Sequence, residues 1–230
     1  MSRLAYYIPS ILAALSIAGL CAAADKIKIQ PAPKVGDAQK YKYELTFKVG
    51  DNDIDVTAEA EQSVVKVEKD LVSACLKWQN LKALVAGSDQ ATEYTDTKFD
   101  FKTNGELLKS DGGIHGADTI RNLLMVLFVP PTSEIGEGET YQTDFKEIAN
   151  EAIPARKVMG TYVGKVDYKG SSVLKFTLKY TEIGDDAMTA DTTFFVKENG
   201  SVVRAAVDFK KLPVPVIGQV VDGKAILEAE

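Results

Sequence analysis

The feature that most narrows the possible folds is a strict alternation that begins at Tyr41. Tyr41, Tyr43, Leu45, Phe47 and Val49 fall on one side of the chain, and Lys42, Glu44, Thr46 and Lys48 on the other. A side-chain period of two is that of a β-strand with one dry and one wet face. Gly50-Asp51-Asn52-Asp53 supplies turn residues. Ile54, Val56, Ala58 and Ala60 then alternate with Asp55, Thr57, Glu59 and Glu61, so the stretch reads as a hairpin. Further strands are expected at 63–68, 71–79, 92–102 and 106–110. The last two are joined by Asn104-Gly105, a pair that tolerates positive φ and favours a tight turn.

The pattern then recurs. Val35-Gly36-Asp37 before Tyr41 is echoed by Ile135-Gly136-Glu137 before Tyr141, an offset of 100 residues, and Val67 with Leu71 to Trp78 by Val166 with Ser171 to Phe176. The closest echo is at the turn. Phe99, Lys102, Asn104, Gly105, Leu107, Leu108 and Lys109 correspond to Phe194, Lys197, Asn199, Gly200, Val202, Val203 and Arg204, at a constant offset of 95. Chance similarity between amphipathic hairpins explains a constant offset through a turn less well than duplication does. Residues 35–134 and 135–230 are therefore read as two tandem β repeats within one domain. Two copies are too few for a solenoid.

One segment has no echo. In residues 117–129, Ile120, Leu123, Leu124, Leu127 and Phe128 recur at helical spacing, Asp118 is placed to cap the start, and Pro130-Pro131 stops the run. From Leu123 to Val129 every residue is apolar, as in a helix buried on most sides. A buried strand is the competing assignment. A sheet with one dry face needs a cover, and this segment is the evident candidate. The expected fold is mainly β: a curved, half-barrel-like antiparallel sheet from two repeats, with one apolar helix over its concave face. The candidate apolar groove between them takes Tyr43, Leu45 and Phe47 from the sheet and Ile120, Leu123, Leu124, Leu127 and Phe128 from the helix.

The first 24 residues differ in kind. Arg3 is the only charge before Asp25, an apolar run spans 11–20, and Cys21-Ala22-Ala23-Ala24 ends it in small side chains. That order is the order of a secretory signal peptide, and the run is short for a membrane span of about 20 residues. Cleavage after Ala23 or Ala24 is expected. Ala18 and bulky Leu20 before Cys21 fit a lipoprotein signal poorly. Residues 25–34, with Pro31 and Pro33, read as an extended lead-in. The mature chain then carries 26 basic and 33 acidic residues, a net charge of −7. An evenly mixed acidic surface excludes nucleic acid, which needs a concentrated basic face, and disfavours anionic membrane surfaces. Cys75 alone remains, so no internal disulfide is available, and it reads as a small apolar strand residue.

Residues for chemistry are sparse. The single histidine, His115, sits among glycines in Asp111-Gly112-Gly113-Ile114-His115-Gly116, which reads as a surface loop, and no Gly-x-Ser-x-Gly elbow exists to supply a nucleophile. One Cys and one His cannot make a structural zinc site. Asp51, Asp53 and Asp55 have the spacing that opens a calcium loop, but Val56 stands at the required glycine and Gln62 at the acidic twelfth place. Glu137, Glu139, Asp185 and Asp186 read as turn charges without evident partners. No Gly-rich phosphate loop opens a helix. Asn199-Gly200-Ser201 matches a glycosylation sequon, although the repeated turn already accounts for it. The chain is expected to have no catalytic residues, no cofactor and no metal.

At the repeat junction, Leu127-Phe128-Val129-Pro130-Pro131 leads to Ile135-Gly136-Glu137-Gly138-Glu139-Thr140-Tyr141. This resembles an uncharacterised family of exported bacterial proteins with a helix, a proline break and a Val-Gly-Asp-(Ser/Thr)-Trp approach to the next strand. Tyr141 stands where that family often has Trp, and two residues are inserted before it. Those proteins in turn resemble the LolA/LppX-like carriers of lipoproteins and lipids, whose curved sheet wraps around helices. The resemblance implies the fold more than the function, because one fold hosts many roles, and no ligand-binding residues of the carriers can be matched here. The expectation drawn from the architecture is a non-enzymatic periplasmic or extracellular envelope protein with an apolar groove for a lipid, an acyl chain or a lipidated protein. The rival expectations are a structural or interaction domain with a filled core, and an enzyme with an unrecognised site.

Overall fold

A computed structural model describes residues 26–185 and 187–230. The expected signal peptide, with Asp25 and Asp186, lies outside the described residues. The first half runs β1 (Ala38–Val49), β2 (Asn52–Glu68), β3 (Leu71–Val85), a short β4 (Ser88–Gln90), β5 (Tyr94–Lys102) and β6 (Leu107–Ile114). Helix α1 (Thr119–Val126) follows. The second half runs β7 (Thr140–Phe145), β8 (Arg156–Tyr168), β9 (Ser171–Glu182), β10 (Thr189–Val196), β11 (Val202–Val214) and β12 (Gln219–Ala229). The strands form one curved, unclosed antiparallel sheet in the order β6-β5-β3-β2-β1-β12-β11-β10-β9-β8-β7, with β4 paired to β3 off that path. Among the described residues, the expected mainly-β architecture with a single α-helix is the one observed.

Alternation sets which face is dry. In β1, Tyr41, Tyr43 and Leu45 are buried while Lys42, Glu44 and Thr46 are exposed. Their partners on β2 are Ala60 opposite Tyr41, Ala58 opposite Tyr43 and Val56 opposite Leu45. β2 is longer than its sequence pattern indicates. The expected strands at 54–61 and 63–68 are one strand, because two register shifts against β3 let it change phase without ending. At the second shift Val64 stays buried and Val65, its neighbour, points outward at 58% exposure. A bulge of this kind leaves the ladder intact and bends the strand, which helps a wide sheet curl. β6 likewise passes through Gly112 and Gly113, which the sequence places in a loop; their positive φ fits an irregular strand end.

The two hairpin turns singled out by the constant offset are alike in detail. Gly105 and Gly200 have φ of +83° and +80°. Gly105 N–H donates to the Lys102 carbonyl at 2.9 Å, and Gly200 N–H to that of Lys197 at 2.8 Å. The Asn104 and Asn199 side chains accept from the N–H two residues on, at 3.0 and 3.1 Å. The following bulge falls between Asp100 and Phe101 in one hairpin and between Phe195 and Val196 in the other, again 95 apart.

The helix is shorter than expected. α1 has eight residues, and Leu127 is already extended, with ψ of 116°. Two causes act together. The residue before a proline is driven from the helical region, which draws out Val129. A side chain from elsewhere also claims a carbonyl that a further turn would use, since Thr192 Oγ1 donates to the Met125 carbonyl at 3.1 Å, and Tyr141 Oη holds the extended segment by donating to the Val129 carbonyl. At the other end Asp118 caps as expected, accepting from Arg121 N–H at 2.9 Å.

Candidate functional site

The interior of the curl is divided. On the side of the second half, Phe128 packs edge-on to Phe176 and Phe194, with ring centroids 5.2 and 5.4 Å apart, and Tyr162 lies 5.0 Å from Phe176. Phe176 and Phe194 are fully buried, so this side is filled core. On the side of the first half the same helix faces a cavity of about 400 Å³. Ala60 of β2 is buried opposite both Tyr41 and Trp78, and the rings of Tyr41, Tyr43, Trp78 and Phe99 form much of the sheet side of the cavity wall.

The polar groups of Trp78, Tyr41 and Tyr43 are hydrogen-bonded to neighbouring wall residues. Trp78 Nε1 donates to Thr97 Oγ1 at 2.9 Å, and Thr97 is fully buried. Tyr41 Oη donates to the Val202 carbonyl at 3.3 Å, and Tyr43 Oη to Asn122 Oδ1 of α1 at 3.4 Å. What these groups turn inward is mainly ring and aliphatic surface: Tyr43 and Trp78 stand edge to face at 5.6 Å, and Phe99 stacks on Phe101 at 5.6 Å. Burial pushes the Tyr41 hydroxyl up to about 12 and drives that of Tyr43 higher still. Both are neutral donors throughout the physiological range. The charged residues of the wall are Asp37 and Lys102, and Lys102 is paired with Glu106 at 2.7 Å. At the end bearing the hairpin turns, the lead-in closes the cavity with Pro31 and Pro33, while Ile29 is buried and Ile27 bridges Ile135.

Of the residues assigned to the groove from sequence, Tyr43, Leu123, Leu127 and Phe128 line the cavity. Leu45 and Leu124 are buried in the adjoining core, and Phe47 and Ile120 pack half-buried against it. Tyr41, Leu76, Trp78, Phe99 and Phe101 are cavity walls that were not among the residues assigned to the groove from sequence. The phase of alternation was the available signal: the register sets Trp78 beyond Ala60 on the face of Tyr41, and Phe99 beyond Ala74 opposite Val64.

A second cluster ties the helix to β9. Arg121 donates through Nε and Nη2 to the two oxygens of Glu182 at 2.8 and 3.2 Å, and through Nη1 to Asp118 at 2.7 Å. Glu182 also accepts from Tyr180 Oη at 3.1 Å and from Met188 N–H at 3.2 Å. Burial acts against the Arg121 charge, but the hydrogen bonds to Glu182 and Asp118 outweigh it and its pKa rises. Burial, and to a smaller degree Glu182, raises that of Tyr180. Arg156 is packed beside them, 1% exposed, with its guanidinium 4.3 Å from the centre of the Phe145 ring. Burial lowers its pKa against the opposing pull of Tyr180, Glu106 and Glu182.

Elsewhere, His115 is exposed beside an open surface groove, and its backbone N–H donates to the Glu93 carbonyl at 2.8 Å. Glu139, read from sequence as an unpartnered turn charge, accepts from Gly136 N–H at 2.8 Å and lies 3.4 Å from Lys26. The Gly136 hydrogen bond is the main reason its carboxyl is held below the usual range. Cys75 is buried in β3. Among the described residues no group of three or more His, Cys, Asp or Glu is placed to hold a metal, and no helix is long and apolar enough to cross a membrane.

No family model, no curated protein and no solved structure matches the chain.

Proposed function

We propose that the chain is a non-enzymatic exported envelope protein that binds a lipid or acyl chain in the cavity between β1–β5 and α1. The observation that carries this reading is a cavity of about 400 Å³ with a mainly aromatic and aliphatic wall, whose Tyr41, Tyr43 and Trp78 polar groups are hydrogen-bonded to wall residues. The volume is in the range of small-molecule pockets, about 300–1,000 Å³. A ligand entering it meets aromatic and aliphatic surface, so its recognition is by burial, worth roughly 25 cal/mol per Å² of apolar area removed from water. The acyl chain is the ligand chemistry that such a surface suits, because it asks for no hydrogen-bond partners along its length.

The test is displacement of a fluorescent fatty acid, with Trp78 as a second reporter inside the cavity. Binding that is lost when Val126→Phe, a change in the cavity wall, takes up part of the space, in a protein that still melts as the parent does, supports the reading. A parent protein that takes up neither the fluorescent fatty acid nor phospholipid, and co-purifies with no lipid by mass spectrometry, refutes it. In that event the filled-core alternative gains, favoured already by the close-packed rings around Phe176.

A further inference from the structure

Arg156 combines two features that rarely occur together. It is among the most buried side chains of the molecule, and its Nη2 makes no hydrogen bond among the described residues. Nη1 reaches the Pro154 carbonyl only at 3.5 Å. A buried guanidinium with an unmade hydrogen bond is costly, and its place needs a reason. The register supplies one. Arg156 of β8 sits directly opposite Glu182 of β9, and cross-strand neighbours on one face have Cβ atoms about 4.5–5.5 Å apart. Yet Glu182 is engaged elsewhere: each of its oxygens already accepts two hydrogen bonds, one of them from Arg121. The other carboxylate that acts on Arg156, Glu106, is paired with Lys102.

We infer that Arg156 is the alternative partner of Glu182, and that exchange of Glu182 from Arg121 to Arg156 releases the first turn of α1 and opens the cavity. The helix residues next to Arg121 are walls of that cavity: Thr119 and Asn122 stand on either side of it in sequence, and Leu123 and Val126 continue the wall. When the first turn moves outward, Glu182 loses its hydrogen bonds to Arg121 but keeps those from Tyr180 and Met188. Arg156 then supplies the missing cation from across the strand, so the open state leaves neither charge buried alone. An opening that would otherwise strand a buried carboxylate thereby becomes a small step between two paired states. The role as a gate rests on the groove reading above; the ion-pair exchange itself does not.

The experiment measures hydrogen exchange at the α1 amides of the ligand-free full chain, together with acrylamide quenching of Trp78, the only tryptophan. Exchange is expected to slow about tenfold in Arg156→Met and in Arg156→Gln, which remove the alternative cation. It is expected to quicken about tenfold in Arg121→Met, and to return to the parent rate in Arg156→Lys. A tenfold change corresponds to about 1.4 kcal/mol in the opening equilibrium. Trp78 quenching should follow the same order. If α1 exchanges as fast as the parent, or faster, in the two neutral Arg156 variants, the inference is overturned. If neither of them folds, Arg156 holds the closed state rather than waiting beside it, and the inference is overturned too. Fatty-acid displacement on the same proteins separates the two ideas: a protein that never binds the probe but shows this exchange pattern refutes the groove and keeps the switch.

Discussion

Gly105 and Gly200 occupy the same turn, yet their surroundings differ in a way that only the folded chain reveals. A Cβ at Gly105 would lie 2.8 Å from the Phe128 carbonyl oxygen and 2.9 Å from Val129 Cα, both backbone positions; at Gly200 the nearest atom is a Pro31 side-chain carbon at 3.3 Å. Alanine is strained at positive φ in both places, by about 1–2 kcal/mol. At Gly105 the overpacking of fixed backbone adds about 1–3 kcal/mol. Gly105→Ala should therefore lower the urea midpoint well beyond Gly200→Ala, and equal costs would contradict the packing of 127–129 on the first turn. The Asn-Gly pair was legible in sequence; the pressure on one copy of it was not, because it comes from a segment more than twenty residues away. Tyr41 offers a second test at this scale. An unfolded tyrosine ionises near pH 10, whereas burial lifts Tyr41 to about 12. Its contribution is complete below pH 10 and is lost as pH rises toward 12, because the unfolded chain releases a proton that the native chain keeps. Tyr41→Phe should flatten the fall in stability between pH 9 and pH 12 by about 2 kcal/mol, read from urea melts at successive pH values. A parallel fall in both proteins would mean that the ring is not held in the dry wall.

At the scale of elements, α1 shows what periodicity reveals and where it stops. The apolar spacing and the Asp118 cap identified a helix, but the same spacing carried it through Leu127 and Phe128, which lie beyond its end. Extended or helical, these residues are apolar and buried or half-buried, so composition could not separate the two states. What ends the helix is Pro130, which draws the residue before it out of the helical region, together with the claim of Thr192, on another strand, on the Met125 carbonyl. The groove assignment divides in the same way. Leu124 is in the core and Leu127 on the cavity wall, two fates for residues that one helical stripe treats alike. Leu124→Ala should cost about 2–5 kcal/mol, the range for a truncated core leucine. Leu127→Ala should cost less, since one side of it already faces open space, and should mainly weaken uptake of a fluorescent fatty acid. Thermal melts and displacement titrations on the pair check both statements. Two variants that melt alike and bind alike would remove the distinction between core and wall. The Arg121–Glu182 tie was beyond reach from sequence, since its partners are 61 positions apart and neither stands in a motif.

For the whole molecule, the two halves are continuous in space as well as in sequence. β12, from the second half, pairs with β1, from the first, from Tyr41 opposite Ala229 to Phe47 opposite Gly223. Ile27 and Ile135 exchange two backbone hydrogen bonds at 2.9 Å. Phe128, which follows the helix of the first half, is seated between Phe176 and Phe194 of the second. The tandem pattern indicated two similar halves but was silent on how they join, because a strand's own alternation does not name its neighbour. The covalent connection, by contrast, is slight: Thr132, Ser133 and Glu134 are exposed between buried Pro131 and buried Ile135. A β-ladder, a shared aromatic core and a bridged lead-in hold the halves together independently of those exposed residues. If those contacts govern cohesion, a protease site inserted between Ser133 and Glu134 can be cut without parting the halves. The cut protein should elute at the volume of the intact chain and separate only in denaturant. Trp78 fluorescence, which reports the first half, and far-UV circular dichroism, which reports both, should trace one coincident unfolding curve before cleavage. Halves that part in buffer, or a Trp78 transition at lower urea than the circular dichroism, would show two domains that merely touch.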